Sequence, residues 1–171
     1  YMDPRVVIHW LADTVSKNGT FLLNIPGKPD GTIDSKERLI LERIGDWFKI
    51  NSEAIYSTRP WKVYGEGPHL SKPGSFQGKS TGELDARDVR YTRNKANTVV
   101  YAIVLGWPEQ ALLLRSFGTA AANQPGKVAH VELLGSPEKL HWQQAAEGLR
   151  IELPRHKPSS DYAVVFKLSL A

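Results

Sequence analysis

The stretch Val99-Val100-Tyr101-Ala102-Ile103-Val104 decides how the larger part of this chain folds. Val99, Tyr101 and Ile103 alternate with Val100, Ala102 and Val104, a period of two carried by β-branched and aromatic residues. Beyond Asp85 the same period recurs in Val89 and Tyr91, in Leu112 and Leu114, and in Val128, His130 and Glu132 set against Val131 and Leu133. It returns in Leu149, Ile151 and Leu153, and in Tyr162, Val164 and Phe166. Turn chemistry separates these runs: Arg93-Asn94-Lys95, Gly106-Trp107-Pro108, Asn123-Gln124-Pro125-Gly126, Gly135-Ser136-Pro137 and Pro154 to Ser160. Short strands at such close spacing predict an antiparallel sandwich of about six to eight strands.

Toward the N-terminus the period changes. Val7, Ile8, Leu11 and Val15 recur at helical spacing with His9, Asp13 and Lys17 between them, and Asn18-Gly19 stops the pattern. Phe21-Leu22-Leu23-Asn24-Ile25 is a short apolar run between Gly19 and Pro26, as expected of a strand buried on both faces of a parallel sheet. After the turn Pro26 to Gly31, Asp34 with Glu37 forms a capping-box pattern, and Ile40, Leu41, Ile44, Trp47 and Phe48 make one helical stripe. A lone parallel strand has no hydrogen-bonding partner, so this helix-strand-helix unit reads as a slice of a larger sheet or barrel. Residues 64–83 hold five Gly and two Pro and are expected to form a long loop, with Phe76 as an anchor. No repeat with a period of about 20–50 residues and no low-complexity tract is visible.

Composition sets the outer limits. With 41% hydrophobic and 23% charged residues the chain of 171 residues matches an ordinary globular protein rather than a disordered or membrane-spanning one. The net charge of +4 is spread over scattered basic residues (Arg87, Arg90, Arg93, Lys95, Arg155, Lys157), an argument against a nucleic-acid partner. The absence of Cys excludes disulfides, thiolate nucleophiles and Cys-based zinc sites, and either side of a membrane suits the composition. The opening Tyr1-Met2-Asp3-Pro4 lacks the marks of a secretory leader, so a leader, if there is one, is expected outside these residues. Five Trp, six Tyr and five Phe suit sugar stacking and core packing equally.

Several stretches together carry a resemblance. They are Val15 to Pro26, the turn Pro29-Asp30-Gly31-Thr32-Ile33, Ile44-Gly45-Asp46-Trp47, Asn51 to Trp61, Tyr64-Gly65-Glu66-Gly67-Pro68, Asp88-Val89-Arg90-Tyr91-Thr92, Val99 to Pro108, and Val131 to Ser136. In order and spacing this succession resembles the C-terminal part of family 29 α-L-fucosidases over nearly the whole chain. It departs at Thr20-Phe21, where that family more often has Asn followed by Leu, and at Ser52, where Gly is usual. The resemblance implies a retaining exo-glycosidase family with a (β/α)8-like barrel followed by a β-sandwich. It makes residues 1–57 the last helix, strand and helix of the barrel and residues 58–171 the sandwich. A retaining glycosidase needs two carboxyl groups about 5 Å apart, and the resemblance places both, with the fucose-binding His cluster, in earlier barrel segments. The expected fold is therefore mainly β, an antiparallel β-sandwich preceded by an α-β-α barrel remnant.

The residues that could carry chemistry are few. His9, His69, His130, His141 and His156 never fall in a metal-ligand spacing, so no metal and no cofactor is expected. Glu66 beside His69 is a candidate acid/base in a loop. Asp85 and Asp88, with Glu83, form an acidic cluster that could take Ca²⁺ or join a relocated catalytic pair, although turn capping explains them better. Ser16-Lys17 and Ser35-Lys36 are adjacent pairs with no nucleophile logic. Trp61, Trp107 and Trp142 are candidates for a sugar-stacking face. Asn18, Asn24 and Asp30 flank the C-terminal end of the expected parallel strand, the active-site side of a barrel, although turn and cap duties explain each equally well. Three functions follow: a fucosidase C-terminal region inert alone, a freestanding carbohydrate-binding module, or a small glycosidase with relocated carboxylates assembled in an oligomer. The expected partners are a carbohydrate and either further copies of the chain or a barrel-containing chain, since an unpartnered apolar face usually finds one.

Overall fold

The computed structural model describes residues 1–70 and 84–171. Two helices come first, α1 at Pro4–Ser16 and α2 at Ser35–Asn51. Eight strands follow among the described residues: β1 Thr58–Glu66, β2 Val89–Asn94, β3 Val99–Val104, β4 Leu112–Leu114, β5 Val128–Leu133, β6 Trp142–Gln144, β7 Leu149–Ile151 and β8 Val164–Leu170. Short 3₁₀ turns occupy Ser52–Ala54 and Arg115–Phe117.

The helix limits follow from local chemistry. Asp3 caps α1 by accepting from the Arg5 amide at 2.8 Å, with Pro4 pre-set in the first turn. At the other end Asn18 takes a left-handed φ of 65° and the Gly19 amide donates to the Thr14 carbonyl at 2.9 Å, the stop that Asn18-Gly19 predicts. Asp34 caps α2 by accepting from the Lys36 amide at 2.9 Å.

The strands make two antiparallel sheets, one of five in the order β1-β2-β3-β8-β5 and one of three in the order β4-β7-β6. β3 and β8 lie inside the large sheet, and their alternation feeds two separate cores. Val100, Ala102 and Val104 of β3, with Val164, Phe166 and Leu168 of β8, face the small sheet and meet Leu112, Leu114, Leu149 and Ile151. Tyr101, Ile103 and Val165 face the other way and meet Val7, Ile8 and Ala12 of α1 and Ile44 and Trp47 of α2. The result is three layers, helices on a large sheet on a small sheet. The Trp47 indole N–H donates to the Ala163 carbonyl at 2.7 Å, satisfying the one polar atom of this large buried ring.

β2 follows the same rule with polar residues. Val89 and Tyr91 enter the core between the sheets, while Arg90 and Thr92 point to the helical layer and are both fully buried. The Thr92 hydroxyl donates to the Ala54 carbonyl at 2.7 Å. Arg90 donates through Nε to the Asp13 carboxylate of α1 at 2.6 Å and through its other nitrogens to the carbonyls of Val89 and His69 at 3.1 and 3.2 Å. A buried guanidinium is stable only when its donors are matched in this way.

The expected parallel strand at Phe21 to Ile25 does not form. No ladder includes these residues, and the nearby β pairing is an isolated bridge between Gly27 and Ile33. The reason is the missing neighbour: a strand is held by hydrogen bonds to flanking strands, and among the described residues none flanks it. The segment keeps an alternation all the same, with Phe21, Leu23 and Ile25 half-buried and Leu22 and Asn24 exposed. Two strands went unforeseen. β1 is an edge strand of the large sheet, its register shifts between Pro60 and Gly65, and Pro60 and Gly65 blur its sequence pattern. β6 is a short polar edge strand of the small sheet. Of the loop expected at 64–83, the first three residues belong to β1, and Phe76 and Glu83 lie outside the described residues.

Candidate functional site

Three of the candidate residues line one groove. Glu66 at the end of β1, Asp85 in the turn before β2, and Trp107 in the loop after β3 border a cavity of about 630 Å³, with Arg87, Glu109 and Leu112 completing its walls. Its frame is fixed by the main chain, because the Leu105 amide donates to the Asp88 carbonyl at 3.0 Å and the Gly106 amide to the Val104 carbonyl at 2.9 Å. Gly106 has a φ of +148°, and a Cβ there would lie 3.1–3.3 Å from Ala86, so the loop approaches the turn as only glycine allows.

Two of the three carboxylates in this groove, Glu66 and Asp85, are engaged by donors, while Glu109 is exposed and makes no hydrogen bond or ion pair among the described residues. Glu66 accepts from the Arg115 amide at 2.9 Å and from the Ser116 amide at 2.7 Å, one bond per oxygen, and so caps the 3₁₀ turn Arg115–Phe117. Asp85 accepts from the Arg87 amide at 2.8 Å and takes the Arg87 guanidinium at 2.5–3.0 Å. The hydrogen bond from the Arg87 side chain holds the Asp85 carboxyl below the usual carboxylate range, which suits a permanent anion and not a general acid. Asp88 is fully buried beneath the groove and accepts from the His69 amide at 3.0 Å, His69 Nδ1 at 2.8 Å and the Asp85 amide at 3.1 Å. Amide capping accounts for the bonds of Glu66, and in part for those of Asp85 and Asp88, while Asp88 also holds the His69 ring.

His69, Asp85 and Asp88 offer ligand atoms within 4.8 Å of one another, the one such grouping found among the described residues. A cation there would have to displace the Arg87 guanidinium from Asp85 and the imidazole from Asp88, which sit 2.5 and 2.8 Å from those carboxylates. The other histidines are apart: His9 is buried with Nε2 2.7 Å from the Tyr162 carbonyl, His156 sits 2.8 Å from Glu138, His130 is 3.9 Å from Glu132, and His141 is exposed. Ser16 donates back to the Asp13 carbonyl at 2.9 Å while Lys17 pairs with the Asp13 carboxylate at 2.7 Å, so the two make no dyad.

The aromatic candidates separate. Trp61 is 5% exposed in the core between the sheets, stacked on Phe117 with centroids 4.5 Å apart and 5° between planes, and edge-on to Tyr91. It presents no face to a sugar, which corrects its candidacy. Trp107 and Trp142 are half-buried and line different grooves, so they do not form one platform. Asn24 is exposed, and Asp30 accepts from the Thr32 amide and hydroxyl at 2.9 and 2.7 Å, a turn role that lowers its carboxyl pKa. The Asp13–Arg90 contact between α1 and β2 was not foreseen. Its signal in the sequence is the alternation of Arg90 and Thr92 with Val89 and Tyr91, a polar face where a solvent face would have been the simpler reading.

Comparison with known proteins agrees with this architecture at both ends. Residues 83–169 match the family described as the alpha-L-fucosidase C-terminal domain, and residues 1–53 match the alpha-L-fucosidase family itself. Human tissue alpha-L-fucosidase is 35% identical over 170 residues, covering 95% of this chain and 31% of the human protein. Rat tissue alpha-L-fucosidase is 33% identical over 163 residues, covering 93% of this chain and 29% of the rat protein. The chain thus spans about a third or less of the relatives it matches. The fold superposes on alpha-L-fucosidase isoenzyme 1 from Paenibacillus thiaminolyticus with a TM-score of 0.70 and 24% identity, covering 100% of this chain and 35% of that one. It superposes on Thermotoga maritima alpha-fucosidase with a TM-score of 0.71 and 22% identity, covering 98% of this chain and 34% of that one. Helices on a two-sheet sandwich, with the C-terminal-domain match running from before β2 into β8, place this chain in the α-L-fucosidase family of glycoside hydrolases, as its C-terminal part.

Proposed function

We propose that this chain serves as the C-terminal region of an α-L-fucosidase and hydrolyses nothing alone. Residues 1–57 complete a (β/α)8-like barrel supplied by a barrel-containing partner or by further copies of the chain, and residues 58–171 brace it. The observation that carries this reading is the segment Phe21 to Ile25, apolar throughout except Asn24, yet outside any ladder and with Leu22 90% exposed. Burying one such side chain contributes about 1.5–3 kcal/mol, so the sequence of this segment makes sense against flanking strands. Two of the three acids of the 630 Å³ groove support the same reading, because Glu66 and Asp85 are committed to amides and to Arg87 rather than left facing one another as a nucleophile and a proton donor.

The test is hydrolysis of an aryl α-L-fucoside by the purified chain, beside a panel of other aryl glycosides and with Glu66→Gln, Asp85→Asn and Asp88→Asn variants. No turnover on any of them is expected. Turnover that disappeared in one of the variants would place a working site in this chain and overturn the reading.

A further inference from the structure

On the side of the large sheet away from the helices, a second groove opens along the edge strand β6. It has a volume of about 880 Å³ and is lined chiefly by Thr119, Gln124, Lys127, Trp142, Gln143 and Gln144. Its frame is built. The Gln144 amide oxygen accepts from the Val128 amide at 2.9 Å, and its nitrogen donates to the carbonyls of Phe117 and Gly126, each at 2.9 Å, so this side chain ties the loop before β5 to β6. Gln124 is held at a left-handed φ of 46°, and its carbonyl accepts from the Lys62 ammonium. The Lys127 carbonyl takes the C-terminal Ala171 amide at 2.9 Å.

The side chains over this frame are different. Thr119, Gln124, Lys127 and Gln143 are all exposed, and among the described residues their side chains make no hydrogen bond or ion pair. Trp142 is half-buried, packed against the core between the sheets, and it lines the groove beside them. Among the described residues no carboxylate lines it. A fixed indole surrounded by unspent amide, hydroxyl and ammonium groups is the chemistry that recognises a sugar ring: the apolar face of a pyranose covers the indole, and neighbouring hydroxyls match the paired donor and acceptor of a carboxamide.

We infer that this groove holds a neutral pyranose ring of a glycan on Trp142, with Gln124 and Gln143 bonding its hydroxyls and Thr119 and Lys127 closing the sides. The groove lies across the large sheet from the helical layer, away from the face that the proposed barrel contact uses. It is a holding site and not a hydrolytic one, and it stands independently of the catalytic role proposed above.

The experiment is an amide NMR titration of the whole chain with 2′-fucosyllactose, lactose and methyl α-L-fucoside, following the indole N–H of Trp142 and the side-chain amides of Gln124 and Gln143. Saturable shifts at these groups with at least one probe are expected, with a dissociation constant of order 1–10 mM for so few contacts. Gln143→Ala, at an exposed position that the fold does not use, is expected to weaken binding by roughly 3–10-fold, and Trp142→Ala to abolish it. Trp107→Ala leaves it unchanged. The inference is overturned by the absence of saturable shifts with all three probes, by shifts that map elsewhere, or by binding that survives both Gln143→Ala and Trp142→Ala. Failure here leaves the absence of hydrolysis untouched, and turnover in the hydrolysis assay would leave binding at this groove untouched.

Discussion

Asp13→Asn is the substitution that most sharply probes how the helices are joined to the sandwich. Asp13 accepts from Arg90 Nε at 2.6 Å and from Lys17 at 2.7 Å, and Arg90 of β2 is fully buried beneath the helical layer. Asparagine keeps the volume but removes the charge, leaving a buried guanidinium with two carbonyl acceptors and no counter-ion. Breaking a buried pair from one side costs about 3–5 kcal/mol. Asp13 is slightly accessible, 11% for its side chain, which argues for the lower end, about 3 kcal/mol. For a chain of this size that is a fall in Tm of roughly 6–12 °C, read by far-UV circular dichroism, with urea denaturation giving the free energy. The double variant Asp13→Leu with Arg90→Met removes both charges together and is expected to lie within about 1 kcal/mol of the parent. A loss below about 1 kcal/mol for Asp13→Asn alone would refute the claim that this pair fastens α1 to the large sheet.

Other perturbations test other layers. Burial lowers the His9 pKa from its ordinary 6.5, outweighing the hydrogen bond to the Tyr162 carbonyl, with Arg5 and Arg90 acting in the same direction as burial and Asp88 against it. The unfolded chain therefore takes the proton first, and the contribution of His9 to stability, full above 6.5, is lost as pH falls below that value. Tm measured at neutral and mildly acidic pH is expected to drop in the parent and to drop less in His9→Gln. Burial, and then the hydrogen bond to Glu53 and its charge, push the Tyr101 hydroxyl up to about 12. Tyr101 is expected to ionise that late in an ultraviolet titration, alongside the buried Tyr91, whose hydroxyl is also held well above its ordinary value by burial, and the stability Tyr101 contributes is lost as pH rises above 10, the ordinary value from which the group is shifted. Gly65→Ala would set a methyl 2.4 Å from the Val89 carbonyl and 2.9 Å from Arg90 Cδ, forcing the β1–β2 edge apart. A loss of about 1–3 kcal/mol on denaturation is expected, and a neutral result would show that the edge gives way freely.

The strands legible in the sequence are those whose two faces differ or whose residues are β-branched throughout. Val99 to Val104 showed its period because β3 feeds a core on each side, and Val164 and Phe166 did so for the same reason. β1 stayed hidden because an edge strand tolerates Pro60 and Gly65, which read as loop residues, and β6 because three residues with two glutamines have no apolar rhythm. Phe21 to Ile25 taught the opposite lesson: its composition describes an environment with flanking strands, and the segment stays unpaired where they are absent. At the candidate site, the turn role of Asp85 followed from local residue chemistry, whereas the Asp88 contacts to His69 span 19 residues and the Glu66 contact to Arg115 and Ser116 spans a separation of about fifty residues that no local pattern encodes. Trp61 and Trp142 are alike in sequence and opposite in use. Only the packing, with Trp61 stacked on Phe117 and Trp142 at an edge, tells them apart.

The central claim is that the helix-strand-helix segment is built to be covered by a neighbour. Multi-angle light scattering of the purified chain, alone and with a barrel-containing α-L-fucosidase chain truncated before this region, reads it directly. The account predicts a mass above the 19.1 kDa of one copy in at least one of the two samples, with Leu22→Ser weakening the association while leaving Tm within about 0.5 kcal/mol of the parent in equivalent stability. A clean single-copy mass in both samples would contradict it.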